Sequence, residues 1–166
     1  MIHLTHNAVD KLSIEDKWNF GEDSELLMHT IHAYPAKFPA FIATKAFDYA
    51  VQEGVNIKRV ADIFCGCGTV ALEAKMHNKN FWGCDINPVA TLIAKAKSTT
   101  YDVVFLVKCY EKIRVAYNTE KIDSDFYRNS NERLKYWFTE KSFLDLLALK
   151  HAIENSVPRG IYLDAF

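Results

Sequence analysis

No stretch of this sequence stays apolar long enough to cross a bilayer. The amino-terminal MIHLTHNAVDKLSIEDKW also lacks the basic-then-apolar order of a secretory signal. The expected setting is therefore the cytoplasm, with no membrane partner. There is no excess of charge of one sign: 20 Lys and Arg against 21 Asp and Glu leave a net charge of -1. Whole-molecule attraction to a polyanion is thus not expected. Cys-x-x-Cys pairs are missing too. Of four cysteines, Cys65 and Cys67 stand two apart in a glycine turn, and Cys84 and Cys109 lie in apolar stretches. That pattern argues against a zinc site and for reduced, buried thiols. Prolines are few, at 35, 39, 88 and 158, and no two are adjacent. There is no internal repeat and no low-complexity tract. What remains is 49% apolar and 25% charged over 166 residues, enough for one globular domain with a core.

Charge is spread unevenly. Residues 1–36 hold two basic and six acidic side chains, and residues 95–135 hold nine basic and six acidic. A locally basic surface could favour a polyanion, or it is an ordinary solvated face; both readings stay open.

Residues 1–31 read as polar and irregular, with one apolar patch at Leu26–Met28. The stretch 32–39, HAYPAKFP, holds two of the prolines and is expected to be an extended, fixed loop. From Pro39 to Ala50 the positions Phe41, Ile42, Ala46, Phe47 and Ala50 recur at helical spacing, and Gly54 and Asn56 break the pattern. Arg59–Phe64 reads as a short strand, Cys65–Thr69 as a glycine turn and Val70–Asn78 as a helix. Asn80–Cys84 reads as a second strand, Asp85–Pro88 as a turn, and a helix starts at Pro88 and runs to about Lys97. This alternation predicts an α/β fold: a partial parallel sheet flanked by helices. Beyond it, Phe105, Leu106, Cys109, Ile113 and Ala116 fit a helical face, and 118–133 reads as an exposed loop. Ser142–Asn155 reads as a helix with Leu146, Leu147, Leu149 and Ile153 as its stripe and Ser142 with Asp145 as a capping box. The expected divisions are an irregular segment at 1–31, a ligand-binding core at 32–100 and a mainly helical extension at 101–166. The last residues, IYLDAF, show no terminating signal, and a truncated end is expected.

The chemistry concentrates in Asp62-Ile-Phe-Cys-Gly-Cys-Gly-Thr69, with Asp85 at the end of the next strand. Gly66 and Gly68 let the backbone approach a ligand closely. Asp85, 17 positions after Gly68, is placed to accept hydrogen bonds from ribose hydroxyls. An adenosine-containing ligand follows. Gly66-x-Gly68-x-x-Ala71 also satisfies the dinucleotide fingerprint. Asp62 tilts the choice, because a carboxylate beside the loop would repel a pyrophosphate. S-adenosylmethionine instead brings an ammonium and a sulfonium, both positive. The plain alternative is that Asp62 caps the loop and the glycines only turn the chain. Tyr34, Phe64 and Trp82 could sit near the sulfonium or the adenine, with Trp82 read chiefly as core.

DIFCGCGTVALEAK followed by FWGCDINPVA resembles the cofactor motif of DNA methyltransferases that modify exocyclic base amines, adenine-N6 or cytosine-N4. Its usual form is D-P-F-x-G-S-G-T, then E-A, then G-x-D-x-N-P. HAYPAKFP resembles the H-x-Y-P-A-K-F element that those enzymes place beside the methionine end of the cofactor. The likeness covers roughly residues 30–98, and more loosely 137–153. It implies a Rossmann-like methyltransferase fold and S-adenosyl-L-methionine as cofactor. By position it implies that Asp62, Phe64, Cys65, Gly66 and Gly68 form the methionine and adenosine cradle, and that Thr69 caps the following helix. Asp85 would bind the ribose, with Ile86 beside it. His32, Tyr34, Pro35 and Lys37 would line the methionyl carboxylate side. Glu73 is assigned structure. Ile63 stands where the family has proline, and Cys67 where it has serine, so a hydroxyl contact is lost.

These enzymes activate the weakly nucleophilic amine with an Asp/Asn/Ser-Pro-Pro-aromatic segment that also stacks on the flipped base. No such segment is present, and Asn87-Pro88-Val89 lacks the second proline and the aromatic. The expectation is the cofactor-binding portion of a site-specific DNA methyltransferase of a restriction-modification system, inactive alone, with no catalytic residue and no metal in this chain. DNA would be met through the complete enzyme. An exposed sheet edge would pair with a second polypeptide carrying the catalytic half, or with another copy. Three other readings stand beside it: a non-catalytic or degenerate interaction module, part of an RNA methyltransferase, and a nicotinamide-dependent oxidoreductase. Asp62 and HAYPAKF count against the last.

Overall fold

The computed structural model describes residues 26–32 and 37–166. Expectations for the other positions, Tyr34 and Pro35 among them, lie outside the described residues. The chain divides into two compact units, 1–94 and 95–166. The described part is mostly helical, with a small parallel sheet, a coarse α/β arrangement as expected.

In the first unit, helix α1 (Leu27–Thr30) precedes α2 (Ala40–Gln52), β1 (Arg59–Asp62), α3 (Thr69–Met76), β2 (Asn80–Gly83) and the start of α4 (Pro88–Ser98). The two strands pair in parallel, Arg59 opposite Asn80 through Asp62 opposite Gly83. Parallel neighbours need a crossover, and α3 supplies it. Helix α3 packs against α2 and both strands. Its buried face is small, with Ala71, Leu72 and Ala74 facing Ala40, Ala43 and Phe47 of α2, so the backbones approach closely. Phe47 also stacks on His77, with ring centroids 4.6 Å apart.

Both strands stop one or two residues earlier than expected. The Asp62 side chain accepts the Phe64 amide and turns the chain, though Cys84 N–H to Asp62 O and Cys65 N–H to Cys84 O extend the pairing into the loop. Thr69 does not cap α3: it is buried as the first helical residue, and the cap position belongs to Gly68 at φ 79. A side chain on Gly68 would lie 2.5 Å from the Ala94 Cβ on α4. Helix α3 ends at Met76, short of the expected Asn78, because Asn78 itself takes φ 54 and reverses the chain. The irregular reading of 1–31 fails at its end, where the patch around Leu26–Met28 opens α1. Trp82 is not core; strand alternation turns Phe81 and Gly83 inward and leaves Trp82 59% exposed. Cys84 is exposed by the same turn of the strand end, whereas Cys65, Cys67 and Cys109 are buried; all four are free thiols.

The second unit holds the end of α4, then α5 (Val103–Thr119), α6 (Asp125–Arg128), α7 (Glu132–Trp137) and α8 (Glu140–Ser156), and closes with a 3-10 turn at Leu163–Ala165. Asp102 caps α5 by accepting the amides of Val104 and Phe105. Helices α5 and α8 pack through Cys109, Ile113, Ala152 and Val157, with Ala116, Ile153, Tyr162 and Leu163 around them. The expected helical face on α5 is thereby present. The expected loop at 118–133 instead contains α6 and the start of α7, because Asn131 caps α7 through the Leu134 amide. Helix α8 starts at Glu140 and not at Ser142. Thr139 is its cap, accepting the Ser142 amide at 3.2 Å, and Asp145 pairs with Lys141 in place of closing a capping box. No described helix is long and apolar enough to cross a membrane.

The close contact at Gly68 sets an expected outcome. Gly68→Ala combines left-handed strain with overpacking against Ala94 and should destabilise by about 3 kcal/mol. Gly54→Ala, at φ 72 with nothing within 4 Å, carries only the strain, about 1 kcal/mol. Denaturant unfolding of the two variants checks the difference.

Candidate functional site

The carboxyl end of β1, the glycine loop, the start of α3 and the segment before α2 line a cavity of about 410 Å³. Ligand crevices in parallel α/β sheets lie at this end of the strands. Of the residues singled out from sequence, Lys37, Asp62, Phe64, Cys65, Gly66 and Thr69 line it. Phe38, Ala61, Cys67 and Val70 line it as well and were not among the expected site residues. Phe38 neighbours the expected Lys37 element and Ala61 precedes Asp62, so a reading of those segments as continuous walls would have found both. Gly68 stands behind the loop against Ala94. Ile86 is fully exposed, and neither it nor His32 is part of the lining.

Asp85 shapes the loop from below. One of its oxygens accepts the Gly66 amide at 2.9 Å and the other accepts the Asn87 amide at 2.9 Å. Gly66, at φ 46, is in the left-handed region, which turns its N–H toward that carboxylate. Asp62 holds the other end of the turn through the Phe64 amide at 3.0 Å. Each carboxylate oxygen carries two lone pairs, so these bonds leave acceptor capacity on both side chains.

The two carboxylates set the local field. Burial pushes the Cys65 thiol above its ordinary value of 9.0, and the charges of Asp62 and Asp85, with Cys84, push it further. The loop is thus an environment that disfavours anions and favours cations. Among the described residues no cluster of three or more His, Cys, Asp or Glu could hold a metal ion. The cavity wall carries one lysine, Lys37, and one carboxylate, Asp62; Asp85 is outside the lining and reaches the site only through the Gly66 amide.

Behind the wall, Glu73 on α3 is buried and both its oxygens are hydrogen-bonded. Its Oε1 meets His29 Nε2 at 2.8 Å, and its Oε2 accepts the Thr44 hydroxyl at 2.8 Å. Nothing in the sequence pattern marks this group, because His29 and Glu73 stand 44 positions apart.

The raised Cys65 pKa has a definite pH signature. Its thiol stays protonated at neutral pH, so alkylation by iodoacetamide should be slow there and should set in at higher pH than for an ordinary thiol, and exposed Cys84 should label first. The associated stabilisation is complete below the ordinary thiol pKa and is lost as pH rises through the folded value. Mass spectrometry of labelled peptides across pH checks the order.

Comparison with known proteins places this geometry. Residues 4–96, more than half of the chain, match the DNA methylase family of N6 and N4 methyltransferases. The Type II methyltransferase M.MvaI of Kocuria varians is 27% identical over 163 residues, an alignment that covers 91% of this chain and 36% of that protein. The chain therefore spans about a third of the length of this curated relative. No solved structure matches. From the glycine loop, its two carboxylates and the extent of the match, the chain belongs to the N6/N4 DNA methylase family.

Proposed function

We propose that this chain binds S-adenosylmethionine in the glycine-loop cavity and is the cofactor-binding portion of a DNA methyltransferase that acts on an exocyclic base amine. The carrying observation is a carboxylate in the cavity wall, Asp62, where a dinucleotide would bring its pyrophosphate, with a second, Asp85, holding the Gly66 amide from the exit of β2. The cavity, about 410 Å³, falls within the range of small-molecule pockets. In this reading Asp62 faces the ammonium and Asp85 accepts a ribose hydroxyl with its remaining lone pairs. Lys37 faces the methionyl carboxylate, and the Phe64 ring at the mouth lies within reach of the sulfonium. When bound, the cofactor supplies an electrophilic methyl group; the residues of this chain hold and orient it.

Transfer of that methyl needs a polar acceptor and an aromatic platform to activate and hold the base. The Pro-Pro-aromatic segment that supplies both in this family is absent from the sequence. The chain alone is therefore a cofactor holder without turnover, and DNA is met through a complete enzyme, in the cytoplasm, as part of a restriction-modification system. A complete Rossmann-like sheet would take strands beyond β1 and β2. Ile63, Phe64 and Trp82 are exposed at the strand ends, which also favours a second reading, a non-catalytic module that works through protein contacts.

Calorimetric titration separates the two. The wild-type chain should bind S-adenosylmethionine and its demethylated product saturably, and should not bind a nicotinamide dinucleotide. Asp62→Asn keeps the acceptor for the Phe64 amide and removes the charge; it should weaken binding roughly tenfold, about 1.4 kcal/mol. Asp85→Ala releases the loop and should abolish binding. A folded wild-type chain that binds neither compound would sink the cofactor reading and leave the interaction module.

A further inference from the structure

We propose that His29 is a positioning residue for the cavity, fixing the wall that carries Lys37. The proposal rests on the cofactor reading above for its effect on affinity. Helix α1 has only four residues and is otherwise solvated: Leu27 is 81% exposed and Met28 39%. The side chain of His29 is nevertheless wholly inaccessible. A polar ring is costly to bury unless it is hydrogen-bonded. Here Glu73 supplies a bond to one ring nitrogen, Nε2 to Oε1 at 2.8 Å, from the helix that begins at the glycine loop, while Nδ1 is buried with no partner among the described residues. The other Glu73 oxygen holds Thr44 of α2, so one buried carboxylate ties α1 and α2 to α3.

The link to the cavity runs through the backbone of the same residue. The His29 carbonyl accepts a hydrogen bond from Lys37 Nζ at 3.2 Å, and Lys37 lines the cavity together with Asp62 and Gly66. The ring anchors α1 on α3, the carbonyl of the anchored residue locates the ammonium, and the ammonium forms one wall. A lysine on a long flexible stem has many rotamers, and a fixed carbonyl selects among them. His29 touches no ligand in this scheme; it acts by setting where Lys37 stands.

The test uses the full chain with His29→Leu and His29→Gln. Three quantities are read: the Kd for S-adenosylmethionine, the melting temperature, and the rate of Lys37 acetylation by mass spectrometry. His29→Leu should raise Kd about tenfold, as small misplacements of binding groups do, and should speed Lys37 acetylation several-fold well below its melting temperature. His29→Gln, whose amide can donate to Glu73, should recover most of both. If His29→Leu does not fold, Thr44→Val removes the second bond to Glu73, together with a contact to the Ala40 carbonyl within α2, and should move the same two readouts in smaller measure. A folded variant with lowered melting temperature but unchanged Kd and unchanged Lys37 labelling would overturn the proposal and leave His29 a purely structural residue. If the wild-type chain binds no S-adenosylmethionine, the cofactor reading fails, and the Lys37 labelling still decides the role of His29.

Discussion

The site depends on one carboxylate at the point where β2 ends. Asp85 spends one oxygen on the Gly66 amide and the other on the Asn87 amide, and so joins the first strand's loop to the second strand's exit. Without it Gly66 and Asn87 would be two unsatisfied donors on a turn with little apolar support. Everything else at the cavity is placed relative to that junction. Gly68 can then take the helix cap position, α3 can start at Thr69, and the loop can lie flush on Ala94. The same carboxylate adds to the negative field that Asp62 sets at the loop, so one side chain serves both shape and charge.

A second buried carboxylate works from the opposite side of α3. Glu73 is largely removed from water, where an ionised group needs partners, and it has them in His29 and Thr44. Removing one partner from such a group costs more than the bond itself contributes, because the other remains buried and unpaired. The consequence is a division of labour along one short helix. Its first residues and the preceding loop form the cavity, and its middle fastens the two segments that frame it.

The β1–loop–α3–β2 order and the carboxylates Asp62 and Asp85 that hold the loop were readable because they are local. Strand alternation, glycine punctuation and a carboxylate at a strand end all leave marks within a few positions. What escaped was decided between segments or between near-equal local choices. Trp82 reads as core by residue type, yet only the alternation of a half-buried strand decides its side. Thr139 and Ser142 are both hydroxyl residues three apart, and either could start α8; the structure starts the helix at the earlier one and gains Glu140 and Lys141 as helical residues. The polar run 118–133 conceals α6 because a short helix stabilised by local side-chain bonds needs no apolar stripe. His29 could not be found at all from pattern, since its partner lies on an element not yet formed when α1 is read.

The contact of the glycine loop with α4 makes positions 68 and 94 a single variable. A hypothetical Cβ on residue 68 would overlap both Cβ and Cα of Ala94, so shrinking residue 94 to glycine would relieve only part of the clash. The axis of α4 itself would have to retreat, and with it the Asp85–Pro88 turn that feeds the helix. Substitution here is therefore not a matter of two residues exchanging size. Drift at either position is coupled to the path of the backbone that carries Asp85, which ties the tolerance of a packing contact to the geometry of a polar one.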